Sequence, residues 1–264
     1  ARTLPTSTRT RLAQGKPVTV PVTITNKGVS SLIYFADPRL AQTGTLTLAN
    51  LGSADSFPLP EPADVTPMWL VPTHTTSFTV TADGGDQPVN LDLFWQGGDP
   101  DGYSAAPGGG GPTTVTTQSS ALAQGPWLAD IGQSGPFTAP APAGTVTVSA
   151  SAVGQLFDPD VSTSTGDLWT EGIAGQSATS PVDLGPILDR IAQAHHRTSS
   201  APPAPIVQGP PTLAPGQRAT ILVTITPSGQ RGSQVHGTLY VDTFDPVTGG
   251  GDEVVALPYA YTVG

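Results

Sequence analysis

The stretch LAPGQRATILVTITPSG (residues 213–229) decides the fold, because the chain contains nearly the same stretch, LAQGKPVTVPVTITNKG, at residues 12–28. Without gaps, the two copies share Leu, Ala, Gly, Thr, Val, Thr, Ile, Thr and Gly, which is nine of seventeen positions. In both copies aliphatic residues alternate with Thr, and successive side chains of a β-strand point to opposite faces. The flanking LAxG, NKG and PSG are turn sequences. Each copy is therefore predicted to be a turn–strand–turn unit with one aliphatic and one hydroxyl-rich face.

Further strand patterns follow each copy. SLIYFAD (31–37) and GTLTLANL (44–51) follow the first, and HGTLYVDTF (236–244) and DEVVALPYAYTV (252–263) follow the second. GTLTL and GTLYV look like equivalent strands of two related sheets. This spacing of short strands between turns is typical of a β-sandwich.

The middle of the chain adds a predicted hairpin and another alternating strand. TTSFTVTA (75–82) and PVNLDLFW (88–95) are joined by the turn sequence DGGD, and GTVTVSASAV (144–153) alternates in the same way. We therefore expect an all-β chain with two antiparallel sandwiches of the immunoglobulin or fibronectin type III kind. The expected domains are residues 1–154 and 155–264, and each would use one copy of the repeat as its entry strand.

One helix is predicted, in GPILDRIAQAHHR (185–197). Ile187, Leu188 and Ile191 fall on one side of it, and Pro186 suits a first helical turn, where its missing N–H is not needed. The Pro-rich stretch 198–211 is expected to follow as an extended arm of the second domain.

Composition restricts the partners. Gly (31) and Pro (29) are abundant in the 264 residues, which suits many turns. The net charge is −10, and no Lys or Arg lies between Arg39 and Arg190. Nucleic acids and anionic membrane surfaces are bound through basic residues, so neither is an expected partner. There is no cysteine, which excludes disulfides, thiol nucleophiles and zinc–thiolate sites, and no stretch of 18 apolar residues.

No catalytic constellation stands out, so we expect no enzymatic activity of the chain itself. The four histidines are His74, His195, His196 and His236, and no Ser lies in a G-x-S-x-G elbow. Neighbouring histidines at a helix end point to different sides, which does not suit a shared metal. With 20 acidic residues, no pair is singled out for glycoside cleavage.

Calcium is the best candidate for a cofactor, although none is required. Asp99 and Asp101 lie in a Gly-rich loop, and Asp83 and Asp86 flank the preceding hairpin. Calcium prefers six to eight oxygen ligands and tolerates irregular loops, but a third acid and a distal Glu are missing. Asp is also a common turn residue. A second candidate cluster contains Asp242, Asp245, Asp252 and Glu253.

A glycan site is the second candidate. Trp95 and Tyr103 flank one loop, and Trp127 and Trp169 lie in other polar segments. Exposed aromatic faces bind sugars, although Trp95 at a strand end also suits a core position. The alternative function is therefore a carbohydrate-binding module that uses Trp95, Tyr103 and Trp127.

GTLYVDTFDPVTGGGDEVVALPYAYTVG, with LAPGQRATILVTITPSG before it and FDPDVSTSTGDLW earlier, resembles the C-terminal region of large secreted subtilisin-like serine peptidases of actinobacteria. VPTHTTSFTVTADGGDQPVNLDLFW is similar to appended sandwich modules of bacterial secreted peptidases. The resemblance covers about half the chain, and the helix and arm do not follow its pattern. None of the residues match the motifs around that family's catalytic Asp, His and Ser.

The resemblance implies an extracellular, non-catalytic accessory module that acts as a spacer, a stabiliser or a substrate-presenting element. The expected partner is an adjacent catalytic domain in a longer chain, of which this is an excised or mature part, or an extracellular polymer. We expect a monomer.

Overall fold

The computed structural model describes residues 3–59, 66–95, 103–105, 111–118, 122, 124–133, 144–166, 169, 172–173, 206–207, 209–244 and 251–264. Over these residues the chain is all-β, as the strand patterns predicted. The strands are β1 (Thr6–Leu12), β2 (Val18–Thr25), β3 (Leu32–Leu48), β4 (Ser56–Leu59), β5 (Met68–Val71), β6 (Thr75–Asp83), β7 (Val89–Trp95), β8 (Tyr103–Ala105), β9 (Thr113–Gln118), β10 (Gly125–Gln133), β11 (Gly144–Phe157), β12 (Val161–Thr163), β13 (Thr212–Leu213), β14 (Arg218–Ile225), β15 (Gln234–Phe244) and β16 (Gly251–Val263).

The strands form one large mixed sheet and two small antiparallel sheets. The large sheet has nine strands in the order β1-β16-β15-β3-β11-β6-β9, with β13 beside β3 and β4 beside β11. It is mixed because β1 runs parallel to β16. The small sheets have the orders β5-β10-β7-β8 and β12-β14-β2.

The long strand β3 links two halves of the molecule. Its first half, from Ile33 to Leu40, pairs with β15, and its second half, from Thr43 to Leu48, pairs with β11. The aliphatic faces form two separate cores, one between the large sheet and the four-stranded sheet and one between the large sheet and the three-stranded sheet. We call the strands around the first core (β4–β11 and the second half of β3) the first unit. The strands around the second core (β1, β2, the first half of β3 and β12–β16) are the second unit.

The repeated stretches do not belong to two different sheets, which corrects the interpretation of the repeat. β2 and β14 are neighbours in the three-stranded sheet and pair antiparallel along their whole length. Pro21 pairs with Leu222, and these two residues occupy the same position of the repeat. The two copies are therefore related by a local twofold axis through this pair.

The loops obey the same symmetry. Gly15 and Gly216 are equivalent, and both adopt a positive φ (67° and 77°), which glycine tolerates without a steric penalty. The N–H of Gly15 donates to the carbonyl of Pro227 (2.8 Å), and the N–H of Gly216 donates to that of Asn26 (2.7 Å). Each copy thus binds the end of the other copy's strand.

The large sheet repeats this symmetry with the same residue offset. Pro38 of β3 pairs with Leu239 of β15, and these residues are again separated by the spacing of the repeat. The equivalent of GTLYV is therefore the first half of β3. The prediction that GTLTL (44–48) is its equivalent was wrong, because that segment pairs with β11 in the first unit.

Strand pairing crosses the predicted boundary at residue 155, which falls within β11. β2 and the first half of β3 precede it and pair with β14 and β15, which follow it. Whether residues 1–154 and 155–264 fold separately stays a prediction. The predicted helix 185–197 and most of the arm 198–211 lie outside the described residues.

Candidate functional site

Several buried charged side chains lie together where β3 passes from one unit to the other. Tyr34 and Ala36 belong to the second core, whereas Phe35 belongs to the first, so this part of β3 is covered on both faces. Asp37 and Arg39 lie on the same side of the strand as Phe35, and both are fully buried. From β15, Asp242 is buried on that side as well. We call Asp37, Arg39, Thr73 and Asp242 the junction cluster.

Asp37 and Arg39 form the centre of the cluster. Nε of Arg39 donates to both carboxylate oxygens of Asp37, at 2.7 and 2.8 Å. The guanidinium also donates to the carbonyl of Gln155 (2.9 Å), and its Cζ lies 3.6 Å from the ring centre of Phe157. The hydroxyl of Thr73 donates to Asp37 at 3.0 Å. A buried ion pair with this many partners fixes β3 against β11 and the β5–β6 turn.

Asp242 has fewer partners. Its Oδ2 accepts the indole N–H of Trp169 (3.1 Å), whereas its buried Oδ1 has no hydrogen-bond partner among the described residues. Burial, followed by the nearby charge of Asp37, raises the pKa of Asp242 to about 8, and the bond from Trp169 and the charge of Arg39 oppose this only in part. Asp242 is therefore protonated at neutral pH, and Asp37, Arg39 and Asp242 together carry no net charge.

His74 lies next to the junction cluster, directly after Thr73 in the chain. It adopts a positive φ of 58°, which is strained for a residue with a Cβ. Its ring stacks on Tyr240 with 3.9 Å between centres. Nε2 lies 3.1 Å from Oε2 of Glu253, although the two atoms are not aligned as a hydrogen bond. Burial lowers the pKa of His74, and Glu253 opposes this.

This arrangement suits a structural role better than chemistry. The carboxylates and the guanidinium are fully buried, so a substrate has no route to them. His74 and Glu253 are partly exposed, but a nucleophilic mechanism also needs an activated nucleophile and an oxyanion site. The hydroxyls on either side of His74 are both in use, because Thr73 donates to Asp37 and Thr75 donates to a main-chain carbonyl.

A second polar cluster anchors the chain between β11 and β12 to the last strand. The hydroxyl of Tyr259 donates to Asp158 (2.5 Å), and that of Tyr261 donates to Asp160 (3.2 Å). Ser228 also donates to Asp160, from its N–H (2.9 Å) and its hydroxyl (2.5 Å). Burial raises the pKa values of Asp158 and of both tyrosines. These phenols stay protonated and act as hydrogen-bond donors.

The structure describes two of the four residues of the predicted calcium site. Oδ1 of Asp83 accepts the N–H of Gly85 (2.8 Å), the ordinary bond of an Asx turn, and Asp86 lies exposed in the same turn. Asp99 and Asp101 lie outside the described residues. In the part of the chain that the structure describes, no group of three or more His, Asp or Glu has a geometry that suits a metal ion. The calcium site at Asp99 and Asp101 stays a prediction.

The second acidic group is divided between different environments. Asp242 is buried in the junction cluster, and Glu253 lies beside His74. The side chain of Asp252 and all of Asp245 are outside the described part.

The structure describes the side chains of two of the three residues of the predicted glycan site. Trp127 is only 2% exposed and packs on Phe78 in the first core, so it presents no ring face to solvent. Trp95 is half-buried, and its indole N–H donates to the carbonyl of Gln124 (3.0 Å). The side chain of Tyr103 is not described. The glycan site stays a prediction, and loss of binding to insoluble polysaccharide in Trp95→Ala would support it.

The sequence held one signal for the junction cluster that motif analysis missed. Asp37 and Arg39 interrupt the otherwise apolar run LIYFADPRL, where exposed charges would break the period of a half-buried strand. A carboxylate and a guanidinium two residues apart on one face are a candidate buried pair. Asp242 and Thr73 gave no such signal, because they reach the cluster through pairing of distant strands.

No protein-family model and no curated protein matches the chain. Among solved structures, that of infectious bursal disease virus Gx strain is similar at a TM-score of 0.22 and 11% identity over 81% of this chain. The chain spans 37% of the length of that viral chain. A similarity at this level carries no argument about function. Among the described residues, no helix is long and apolar enough to span a membrane.

Proposed function

We propose that this chain is a non-catalytic accessory module of a secreted, peptidase-like or cell-surface protein, built from two immunoglobulin-like or fibronectin type III-like sandwiches that share one sheet. The observation that supports it most is the continuity of β3, which pairs with β15 in one unit and β11 in the other. A shared strand with a buried ion pair at its middle resists bending between the units. The module would thus act as a rigid body.

The position of the strands at the two ends of the chain refines this role. β1 lies parallel to β16, Leu12 pairs with Val263, and the N–H of Gly264 donates to the carbonyl of Leu12 (2.7 Å). A domain joined at either end would therefore attach to the second unit, and the first unit would project away from it. This favours a stabilising or substrate-presenting role over that of an in-line spacer.

The coding sequence next to this chain provides the first test, since a peptidase domain there would support the proposal. The second test compares that peptidase with and without the module. We expect kcat/KM for a short peptide to be unchanged, and the half-life of the enzyme or its rate on a large protein substrate to fall when the module is removed. Hydrolysis of a peptide or glycoside panel by the purified chain alone would contradict the proposal.

A further inference from the structure

The outer face of the four-stranded sheet carries a row of large apolar side chains. Leu128 of β10 pairs with Met68 of β5 on one side and with Phe94 of β7 on the other. These residues alternate with the buried Trp127 and Leu93, so they point away from the first core. Phe94 is 38% exposed, and Met68 and Leu128 are partly exposed. Water therefore meets an apolar row that crosses three strands.

The next row on the same face carries two carboxylates. Asp130 of β10 pairs with Asp92 of β7, so their Cβ atoms are about 5 Å apart. Like charges at directly opposite positions destabilise a sheet, and Asp is disfavoured in strands. Within the described part of the chain, neither carboxylate makes a hydrogen bond or an ion pair. Opposed carboxylates of this kind are expected to lower the stability of the sheet.

The first unit contains no permanently cationic residue that could compensate the charges of the two carboxylates. Residues 40–154 contain no Lys or Arg. Exposed Lys and Arg side chains in the described part of the chain all belong to the second unit, namely Arg9, Arg11, Lys16, Lys27, Arg218 and Arg231. A cation that neutralises Asp92 and Asp130 must therefore come from outside residues 40–154, either elsewhere in the chain or from another molecule.

We propose that this face, formed by Met68, Phe94, Leu128, Asp92 and Asp130, binds a cationic polypeptide segment of a partner protein. Lys and Arg match it because their aliphatic stems cover apolar surface while their charged ends reach carboxylates. Phe94 is 38% exposed and lies two residues from Asp92 on the same face of β7, where a cation bound to the carboxylates can also contact an aromatic ring. The charge complementarity and the exposed row support this site whether or not the chain accompanies a peptidase.

The test measures binding of fluorescein-labelled hexalysine by fluorescence anisotropy, with hexaglutamate as the negative control. In Asp92→Asn/Asp130→Asn the Kd should rise roughly tenfold, because two exposed charge contacts are lost. In Phe94→Ala it should rise roughly threefold. The matched control is Asp83→Asn/Asp86→Asn, which removes the same charge from a turn of the same unit and should leave the Kd within about twofold.

A second measurement separates lost binding from unfolding. The melting temperature of Asp92→Asn/Asp130→Asn should be equal to or above that of the wild type, because the repulsion is removed. Lost binding together with a retained or raised melting temperature is the signature of a site that is kept at a cost in stability.

Four results would overturn the proposal. The first is absence of hexalysine binding at low salt. The second is equal weakening of hexalysine binding by the two double variants, which would show that the peptide responds to net charge alone. The third is binding of neutral cellohexaose through Phe94 without binding of hexalysine, which would assign the face to a glycan. The fourth is salt-sensitive self-association lost in Asp92→Asn/Asp130→Asn, which would assign it to a second copy of the chain.

Discussion

Asp242 is a fully buried carboxyl group near Asp37 and Arg39, and among the described residues Trp169 is its hydrogen-bond donor. Its pKa is raised from 3.8 to about 8. The folded state therefore holds this proton more tightly than the unfolded state does. The resulting stabilisation is complete below about pH 4 and is lost as the pH rises through about 8. In Asp242→Asn we expect this loss to disappear, and the variant to be the more stable protein above pH 8.

Urea unfolding at a series of pH values measures the effect. The difference between variant and wild type should change by on the order of 5 kcal/mol between about pH 4 and about pH 8. Asp158 contributes in the same direction and His74 in the opposite one, but both are present in the two proteins. Asp55→Asn is the matched control at an exposed position. Parallel pH profiles of wild type and Asp242→Asn would show that Asp242 is ionised in the fold.

Arg39 is the only buried cation of the junction cluster, so its removal leaves Asp37 without a counter-charge. Arg39→Met should lower the free energy of unfolding by about 3–5 kcal/mol. Asp37→Asn/Arg39→Met leaves neither charge of the pair buried without its partner. The loss in free energy of unfolding should therefore be smaller than the sum of the losses in the two single variants. A double-mutant cycle in urea should give a coupling energy of about 1–3 kcal/mol. Additive effects would mean that the pair contributes nothing beyond its separate contacts.

At the scale of elements, β11 packs closely against the β5–β6 turn at Gly154. A Cβ on Gly154 would lie 2.5 Å from the carbonyl oxygen of His74, whereas a Cβ on Gly132 would meet nothing within 4 Å. Gly154→Ala should therefore destabilise the protein by about 1–3 kcal/mol and shift the NMR signals of the His74 ring. Gly132→Ala, in the strand β10, should be neutral or stabilise it by up to about 1 kcal/mol. Equal stability of the two variants would contradict the packing at the turn.

The strands themselves were predictable from sequence because alternation is a local property. Thr and aliphatic residues alternate in β2, β6, β11 and β14, and these strands lie where the pattern placed them. Hydroxyl pairs such as Thr79–Thr116 and Thr19–Thr224 (both 3.0 Å) then join neighbouring strands on the outer faces. Pairing between strands is not local. The edge of β2 could pair equally well with a strand near it or with one 200 residues away, so the sequence left the partner open.

The candidate sites were predicted less well, for a related reason. Trp127 looked like an accessible aromatic in a polar segment, yet alternation in β10 directs it into the first core. The junction cluster adds residues 73 and 242 to the pair formed by residues 37 and 39, and no spacing in the sequence connects them to that pair. A buried polar cluster can be identified only when the hydrogen-bond and charge partners of its residues are known. Those partners are set by the order of the strands in the sheets and not by the local sequence pattern.

At the scale of the whole molecule, the first unit is inserted into the second. The chain builds β1, β2 and the first half of β3 in the second unit, completes the first unit with β4–β11, and returns to the second unit from β12 onward. The twofold relation between β2 and β14 is thus formed by the two ends of the chain. A repeat separated by about 200 residues is equally compatible with two separate domains, which is why sequence alone favoured the simpler arrangement.

This order predicts how fragments of the chain will behave. Residues 42–157 contain all the strands of the first unit and should fold alone, with a cooperative thermal transition and dispersed NMR amide signals. Residues 155–264 should remain unfolded alone, because β14 lacks β2, β15 lacks β3, and the second core loses its covering strands.

Addition of a peptide of residues 1–41 should restore the second unit and bind the 155–264 fragment. Replacing Val20 and Ile24 of that peptide by Ser should abolish the rescue, since both are buried side chains of β2, the strand that pairs with β14. Independent folding of residues 155–264, with no change on addition of the peptide, would instead support two separate domains and overturn the paired-strand arrangement.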